Sequence, residues 1–515
     1  MRIAWSRWVL LAALAIASGG VGCAAQEDLG VEDDDGGGND GMGGDSDNGF
    51  VGTGGDDGSL LEDPRTCEQA ASSKAYVGCD FWPTITPNPE LDGGFAFAVV
   101  VANTSEEAVD VQVDQGGMNV RAVTVPPQSL QTIELPWHDQ LFNGTTSLIA
   151  RAGAFHLTAT RPVTVYQFNP LQYRNGGGDF SFTNDASLLL PSTAMTGTYR
   201  VMSSTGSISM YPSFVAITGT QAGTNVTLEL AQNASAATGA EFGNTGRGGA
   251  VSATIERGDV MLLFASDIST DLSGSIVRAD KPVQVIVGNP CTNIPVGRPA
   301  CDHIEESVFP AETLGKRYVV SRPTGPYGVA VPHQVVIYGN FDGTVLTYTN
   351  GSPVGAPSRI DAGQVVTFPQ VETDFVVEGS EPFGVGSFEL ASDVIDPGTP
   401  PPDQQGDPAQ SFATATEQYR TRYVFLAPTD YASNFADVVR PRSAGLLLNG
   451  APVAGERTEL GEYVVERIPL PSTTGGQHVL ESLQPFGLQV TGYGSYTSYY
   501  YPGGLNLQLI SAPPD

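Results

Sequence analysis

From about Arg65 onward the chain alternates apolar and polar residues in short runs broken by Gly, Pro, Asn and Asp. A period of two is the mark of strands with one buried face. The 62 glycines and 37 prolines add many turns and leave little room for helix. Within this texture one arrangement recurs four times. A short apolar strand is followed by a turn, a proline, and a second strand with apolar residues one and three positions later. The copies are His156-Leu157-Thr158-Ala159 with Pro162-Val163-Thr164-Val165, and Ser275-Ile276-Val277-Arg278 with Pro282-Val283-Gln284-Val285. Phe375-Val376-Val377 with Pro382-Phe383-Gly384-Val385 and His478-Val479-Leu480 with Pro485-Phe486-Gly487-Leu488 complete the set.

Proline suits the first residue of a strand, where no ladder donor is needed. Upstream of each copy lies another strand, opened by Gly258, Gly363 and Gly461 in three cases and by Pro127-Gln128-Ser129 in the first. The prolines stand roughly 100–120 residues apart, the size of a β-sandwich; propeller blades would repeat at about 40–45. The expected fold is therefore all-β, with about four tandem β-sandwich-like repeats covering 65–192, 193–312, 313–412 and 413–515.

The N-terminal region reads differently. Arg2 and Arg7 precede an apolar run, Trp8 to Ala17, too short to span a bilayer, and small residues lead to Cys23. This is the layout of an export signal over 1–23, and Val21-Gly22-Cys23 resembles the end of a lipobox, which marks Cys23 for lipidation. Residues 24–64 hold thirteen acidic side chains and no basic ones among scattered glycines. Such a segment lacks the apolar surface to offset ordering entropy, so a disordered acidic linker is expected. The protein should be exported and membrane-anchored, at the outer membrane or cell surface.

Charge narrows the partners. With 24 basic and 56 acidic residues, a formal charge of −32, the surface repels phosphate backbones, and nucleic acid is excluded. Cys67, Cys79, Cys291 and Cys301 are an even number in an exported chain, which favours disulfides. Of three possible pairings the sequence-local one, Cys67–Cys79 with Cys291–Cys301, closes two short loops and is the one expected. Neither pair has the Cys-x-x-Cys spacing of a structural zinc site.

Three stretches go beyond generic β patterning: Thr183-Asn184-Asp185-Ala186-Ser187-Leu188-Leu189-Leu190-Pro191, Asp271-Leu272-Ser273-Gly274-Ser275-Ile276 with Lys281-Pro282-Val283, and Cys291 with Cys301-Asp302-His303-Ile304-Glu305-Glu306. Together they resemble the IgGFc-binding protein N-terminal domain family, over about Cys67 to Gly504. The resemblance points to a bacterial, myxobacterial-type exported lipoprotein member, and it implies an extracellular binding or adhesive role. The cysteine-rich von Willebrand-type modules that accompany the domain in animal proteins are absent, and the antibody ligand of the animal member is not carried over.

Candidate sites follow from residue chemistry. Asn184 and Asp185 form either a turn that bonds its own backbone or a ligand loop. Tyr493, Tyr496 and Tyr499, with Tyr500 and Tyr501, form a tyrosine-rich strand and turn that suits either a contact surface or strand preference alone. Asp302, His303 and Glu305 concentrate metal-ligand types, though a hydrogen-bonded, disulfide-pinned corner fits them better. No Gly-x-Ser-x-Gly elbow, His-Glu-x-x-His or phosphate-cradling loop occurs, so neither a catalytic site nor a cofactor is expected. The reading is a non-enzymatic cell-surface protein that recognises a protein or glycan. A structural envelope or matrix component is the alternative, and a metal-assisted hydrolase at Asp302/His303/Glu305 the third.

Overall fold

The computed structural model describes residues 63–514 apart from 92–93, 205–210, 300, 454 and 472. The export signal, Cys23 and the linker up to residue 62 lie outside the described residues. The fold is nearly all β. One module shows the pattern. Arg317–Val320, Phe375–Gly379, Thr344–Thr349 and Arg359–Ile360 pair in that order as an outer sheet. Val365–Val371, His333–Gly339, Phe383–Phe388 and Gln410–Phe412 pair in that order as an inner one. Val335, Ile337, Phe375, Val377, Phe383 and Val385 fill the space between them. Each fully buried side chain of this size contributes about 1.5–3 kcal/mol.

The same strand order occurs in the three other sets, which begin with Gly78–Phe81, Thr198–Arg200 and Arg420–Leu426. The recurrent proline sits where the chain passes from the outer sheet to the inner sheet. In the first and fourth sets the strand runs unbroken through it, as His156–Phe168 and Gln477–Gly494. The two halves therefore do not pair with each other as a hairpin; they lie in opposite sheets and form a corner. Thus Leu157 pairs with Val113 and Phe81, whereas Val165 pairs with Val101 and Leu189.

Two further features pin the corner. Tyr199 and Tyr318 each donate a hydroxyl hydrogen bond of 2.7 Å to the carbonyl of the residue after the proline, Val283 and Phe383, and Tyr423 does the same to Phe486. Each hydroxyl also accepts the backbone N–H three residues upstream, from Thr196, Gly315 and Arg420. The glycines that open the preceding strand adopt left-handed backbone, φ +83° at Gly258, +71° at Gly363 and +63° at Gly461. Gln128 holds the same turn in the first set at φ +47°, at the steric cost that glycine avoids.

The four modules do not stand in a row. Their innermost strands, Ala186–Leu189, Asp302–Ser307, Gln410–Phe412 and Thr497–Pro502, pack first against second, second against third, third against fourth and fourth against first. The arrangement is propeller-like with four blades, each blade a two-sheet module rather than one sheet. The 40–45-residue blade repeat does not apply because each blade spends twice the strands. One edge is also shared: Leu148–Ala150 of the first segment pairs with Val260–Phe264 and completes the second module's inner sheet. Among the described residues no helix is long and apolar enough to cross a membrane.

Candidate binding face

The four inner strands are the last strands of their sheets, so each turns an unpaired edge towards the axis. Buried backbone N–H groups need acceptors. Asp185 supplies them. Its Oδ1 accepts the N–H groups of Ala186 and Tyr500 at 2.9 and 3.2 Å, and its Oδ2 those of Glu305 and Gln410, both at 3.0 Å. One carboxylate thus ties all four inner strands. Burial pushes its pKa well above the carboxylate range, and the four N–H donors pull it back. Deeper along the axis Glu306 Oε1 accepts the N–H groups of Leu188 and Ser307 at 3.1 and 2.7 Å.

The other residues singled out for their chemistry also sit inside. Asn184 donates to the carbonyls of Pro170 and Gln172 and holds the connection before the first inner strand. Glu305 accepts from Thr86, from Gln167 at 2.8 Å and from Ser187 at 3.1 Å, all of the first module. His303 lies 3.4 Å from Glu305, with its ring parallel to that of Phe214. Asp302 falls on the opposite face of the strand, beside Thr497 at 3.2 Å. Burial first, and then the negative charge of Asp407, raise its pKa. The three side chains therefore face two neighbourhoods, and among the described residues no group of three or more His, Cys, Asp or Glu forms a metal site.

Tyr493 and Tyr499 are fully enclosed. The hydroxyl of the first lies 2.8 Å from both Glu389 and the carbonyl of Thr324, and the second donates to Asn434 at 2.7 Å. Tyr496 is half-buried at the turn between strands. Both disulfides, Cys67–Cys79 and Cys291–Cys301, are formed.

At one end of the axis solvent meets the loops leading into the inner strands. The described residues of 169–185, 293–301 and 389–409 and the turn at Ser495–Tyr496 lie at one end of the ring, together with those of 82–96, 321–332 and 427–432. They touch one another all round. Asn88 donates to the carbonyl of Thr183 at 2.9 Å, and Asp430 accepts the N–H groups of Tyr173 and Arg174 at 2.8 and 3.1 Å. The N–H of Ala391 bonds Ile294 at 2.7 Å, Arg298 pairs with Asp393 at 3.1 Å, and Tyr327 donates to Asp396 at 3.1 Å.

On this crown stand Phe180, Phe182 and Tyr327, exposed by 39%, 49% and 61%, the exposed aromatic side chains among the described residues. Val296 and Val329 of the same set of loops are also exposed. Phe180 and Phe182 stack at 6.0 Å, and the Arg174 guanidinium lies 4.5 Å from the Phe180 ring centre. Reasoning from polar residue types overlooked these positions. The signal available was length: 169–185 and 389–409 exceed ordinary loops, and such loops are usually functional.

The first and last described residues lie at the other end of the ring. Asp63, the first described residue, bridges Arg420 and Arg422 at 2.6 and 2.9 Å, where the fourth module begins. The C-terminal segment bonds there too, Leu507 to Lys74 and Ile510 to Glu312.

Comparison with known proteins agrees with this architecture. Over 100 residues the chain is 34% identical to the human IgGFc-binding protein, a stretch that is 19% of this chain and 2% of the human protein. The chain thus spans a small fraction of the length of that curated relative. Residues 96–133 match the glycosyl hydrolase family 30 beta sandwich domain, in keeping with the first module's two-sheet build. The model of the IgGFc binding protein family matches residues 185–492, which begin at the axial Asp185 and take in the corner prolines of the last three modules. That match spans more than half of the sequence, and the chain belongs to the IgGFc binding protein family.

Proposed function

We propose that this is a non-enzymatic extracellular binding protein that takes a protein ligand on the loop crown. The observation that carries the reading is the placement of exposed aromatic surface: Phe180, Phe182 and Tyr327 all stand on the crown, whereas the chain enters at Asp63 on the far side of the ring. Aromatic side chains supply large contact area at low entropic cost, and unshielded ones on a stable scaffold mark interaction sites. Two disulfides and family membership fit an exported protein. In this reading lipidation at Cys23 and the acidic linker 24–64 hold the crown away from a membrane.

The test is saturable binding of the full chain to arrays of extracellular proteins and glycans, alongside a variant carrying Phe180→Ala, Phe182→Ala and Tyr327→Ala. An immunoglobulin Fc belongs on the array because the human relative is named for it. Capture of a protein by the native chain and not by the variant supports the reading. Capture of a glycan alone, capture indifferent to the substitutions, or no capture at all overturns it, and the last favours a structural envelope component.

A further inference from the structure

We infer that the crown's partner presents an arginine-rich segment, whose guanidinium groups stack on Phe182 and Tyr327 while crown carboxylates hold their charge. The inference rests on the crown being the binding face.

Arg174 already demonstrates the chemistry. Its guanidinium sits over Phe180, 4.5 Å from the ring centre, and 5.5 Å from that of Tyr173. The negative face of an aromatic ring attracts such a cation, the more strongly the drier the site. Phe182 continues the stack at 6.0 Å from Phe180, with an interplanar angle of 24°, and is 49% exposed. Among the described residues no cation lies over Phe182 or Tyr327, so two aromatic side chains of the crown lack the cation that Phe180 has.

Charge points the same way. The exposed cations of the crown are both engaged, Arg174 on Phe180 and Arg298 with Asp393. Glu90, Asp179, Asp403 and Asp430 are exposed carboxylates of the same loops, and none makes an ion pair among the described residues. Asp179 directly precedes Phe180, and Asp430 braces Tyr173 and Arg174 through their backbone N–H groups. Exposed aromatic side chains on loops that also carry carboxylates without an ion pair attract a cation that is flat and weakly hydrated. Arginine meets both requirements; the compact, strongly hydrated ammonium of lysine meets them less well. A partner rich in acidic groups would meet only repulsion here.

The test uses the full chain and three peptides in which glycine alternates with arginine, lysine or glutamate, followed by fluorescence anisotropy. The arginine peptide should bind several-fold more tightly than the lysine peptide, and the glutamate peptide not at all. Phe182→Ala with Tyr327→Ala should weaken the arginine peptide about tenfold, and Asp179→Asn with Asp403→Asn a few-fold, more so at low salt. All four positions are exposed, so unchanged thermal unfolding confirms that the variants are folded. The linker is acidic and attracts any cationic peptide, but that component ignores the crown substitutions and does not prefer arginine. Equal binding of the arginine and lysine peptides, or arginine binding untouched by loss of the aromatics, overturns the inference. A ligand that needs the crown yet carries no arginine also overturns it, while leaving the crown as the binding face.

Discussion

The axis and the crown are successive parts of the same chain segments, yet they use polar and aromatic residues in opposite ways. Four of the crown segments, 169–185, 293–301, 389–409 and the turn at Ser495–Tyr496, run straight into an inner strand. On the loop side Phe180 and Phe182 stand in water and Asp179 is exposed; a few residues later Asp185, Ser187 and Leu188 are sealed. At the axis the carboxylates of Asp185, Glu305 and Glu306 bond backbone or a neighbouring module. On the crown the apolar groups are the ones left without partners. Chemical type therefore misleads in both places, and the discriminating quantity is whether a group's interactions are already satisfied.

Mutations should separate the two regions, axial changes costing stability and crown changes costing binding. The largest effect belongs to Asp185→Ala. It strands four buried N–H groups, a loss on the order of 4 kcal/mol or more, and soluble folded protein should be scarce in expression trials. Asp185→Asn should recover part of this, since its amide oxygen accepts while its NH2 faces donors. If Asp185→Ala melts like the native chain, the axial tie is not what closes the ring.

Acid–base behaviour comes next. Burial raises the carboxyl of Glu389 to about 8, where it accepts from Thr491 and Tyr493. Its folded pKa exceeds the unfolded value near 4.5, so the folded state holds the proton longer. The stability it contributes is complete below about pH 4.5 and drains away as pH rises towards 8, by a few kcal/mol in order of magnitude. Melting across that window should show a shallower decline in Glu389→Gln. His333 and His478 work in the other direction. Burial lowers them to about 3 and 4, so their contribution is present above pH 6.5 and lost as pH falls towards those values.

Opening the disulfide within the crown, with Cys291→Ser and Cys301→Ser together, should cost about 2–3 kcal/mol by loop entropy and speed hydrogen exchange in 293–301. A uniform rise in exchange across the inner strands would instead mean that this loop holds the ring together. Smaller again, Tyr318→Phe and Tyr423→Phe should each cost about 1 kcal/mol, read as a shift in the denaturant midpoint. Smallest is Phe182→Ala, within about 0.5 kcal/mol of the native chain in stability while it weakens binding. A large stability loss there would place Phe182 in the core and erase the contrast.

Local rules reach a long way in this protein. Period-two patterning, the proline at the head of the inner-sheet strand, the left-handed glycine turns and the two short-range disulfides were all legible, because each depends on neighbours in sequence. The sandwich-sized spacing of Pro162, Pro282, Pro382 and Pro485 likewise announced four similar sheet pairs. Asn184 and Asp185 stood out, although what they do was not evident. The tyrosines at 493 and 499 suited either a contact surface or a strand, and the trio at 302, 303 and 305 read better as a hydrogen-bonded corner than as a metal site; folding turned all five inward.

What the residues determined alone is the module: where strands start, where the chain changes sheet, and which cysteines lie close enough to join. What only the tertiary structure decided is that the modules close into a ring. Closure buries four strand edges at once, and a buried edge needs acceptors wherever its N–H groups point. It therefore converts polar side chains from three hundred residues of sequence into internal partners, and leaves the loop aromatics as the surface with bonds still to make. Such pairing depends on distances across the axis, which no local pattern records.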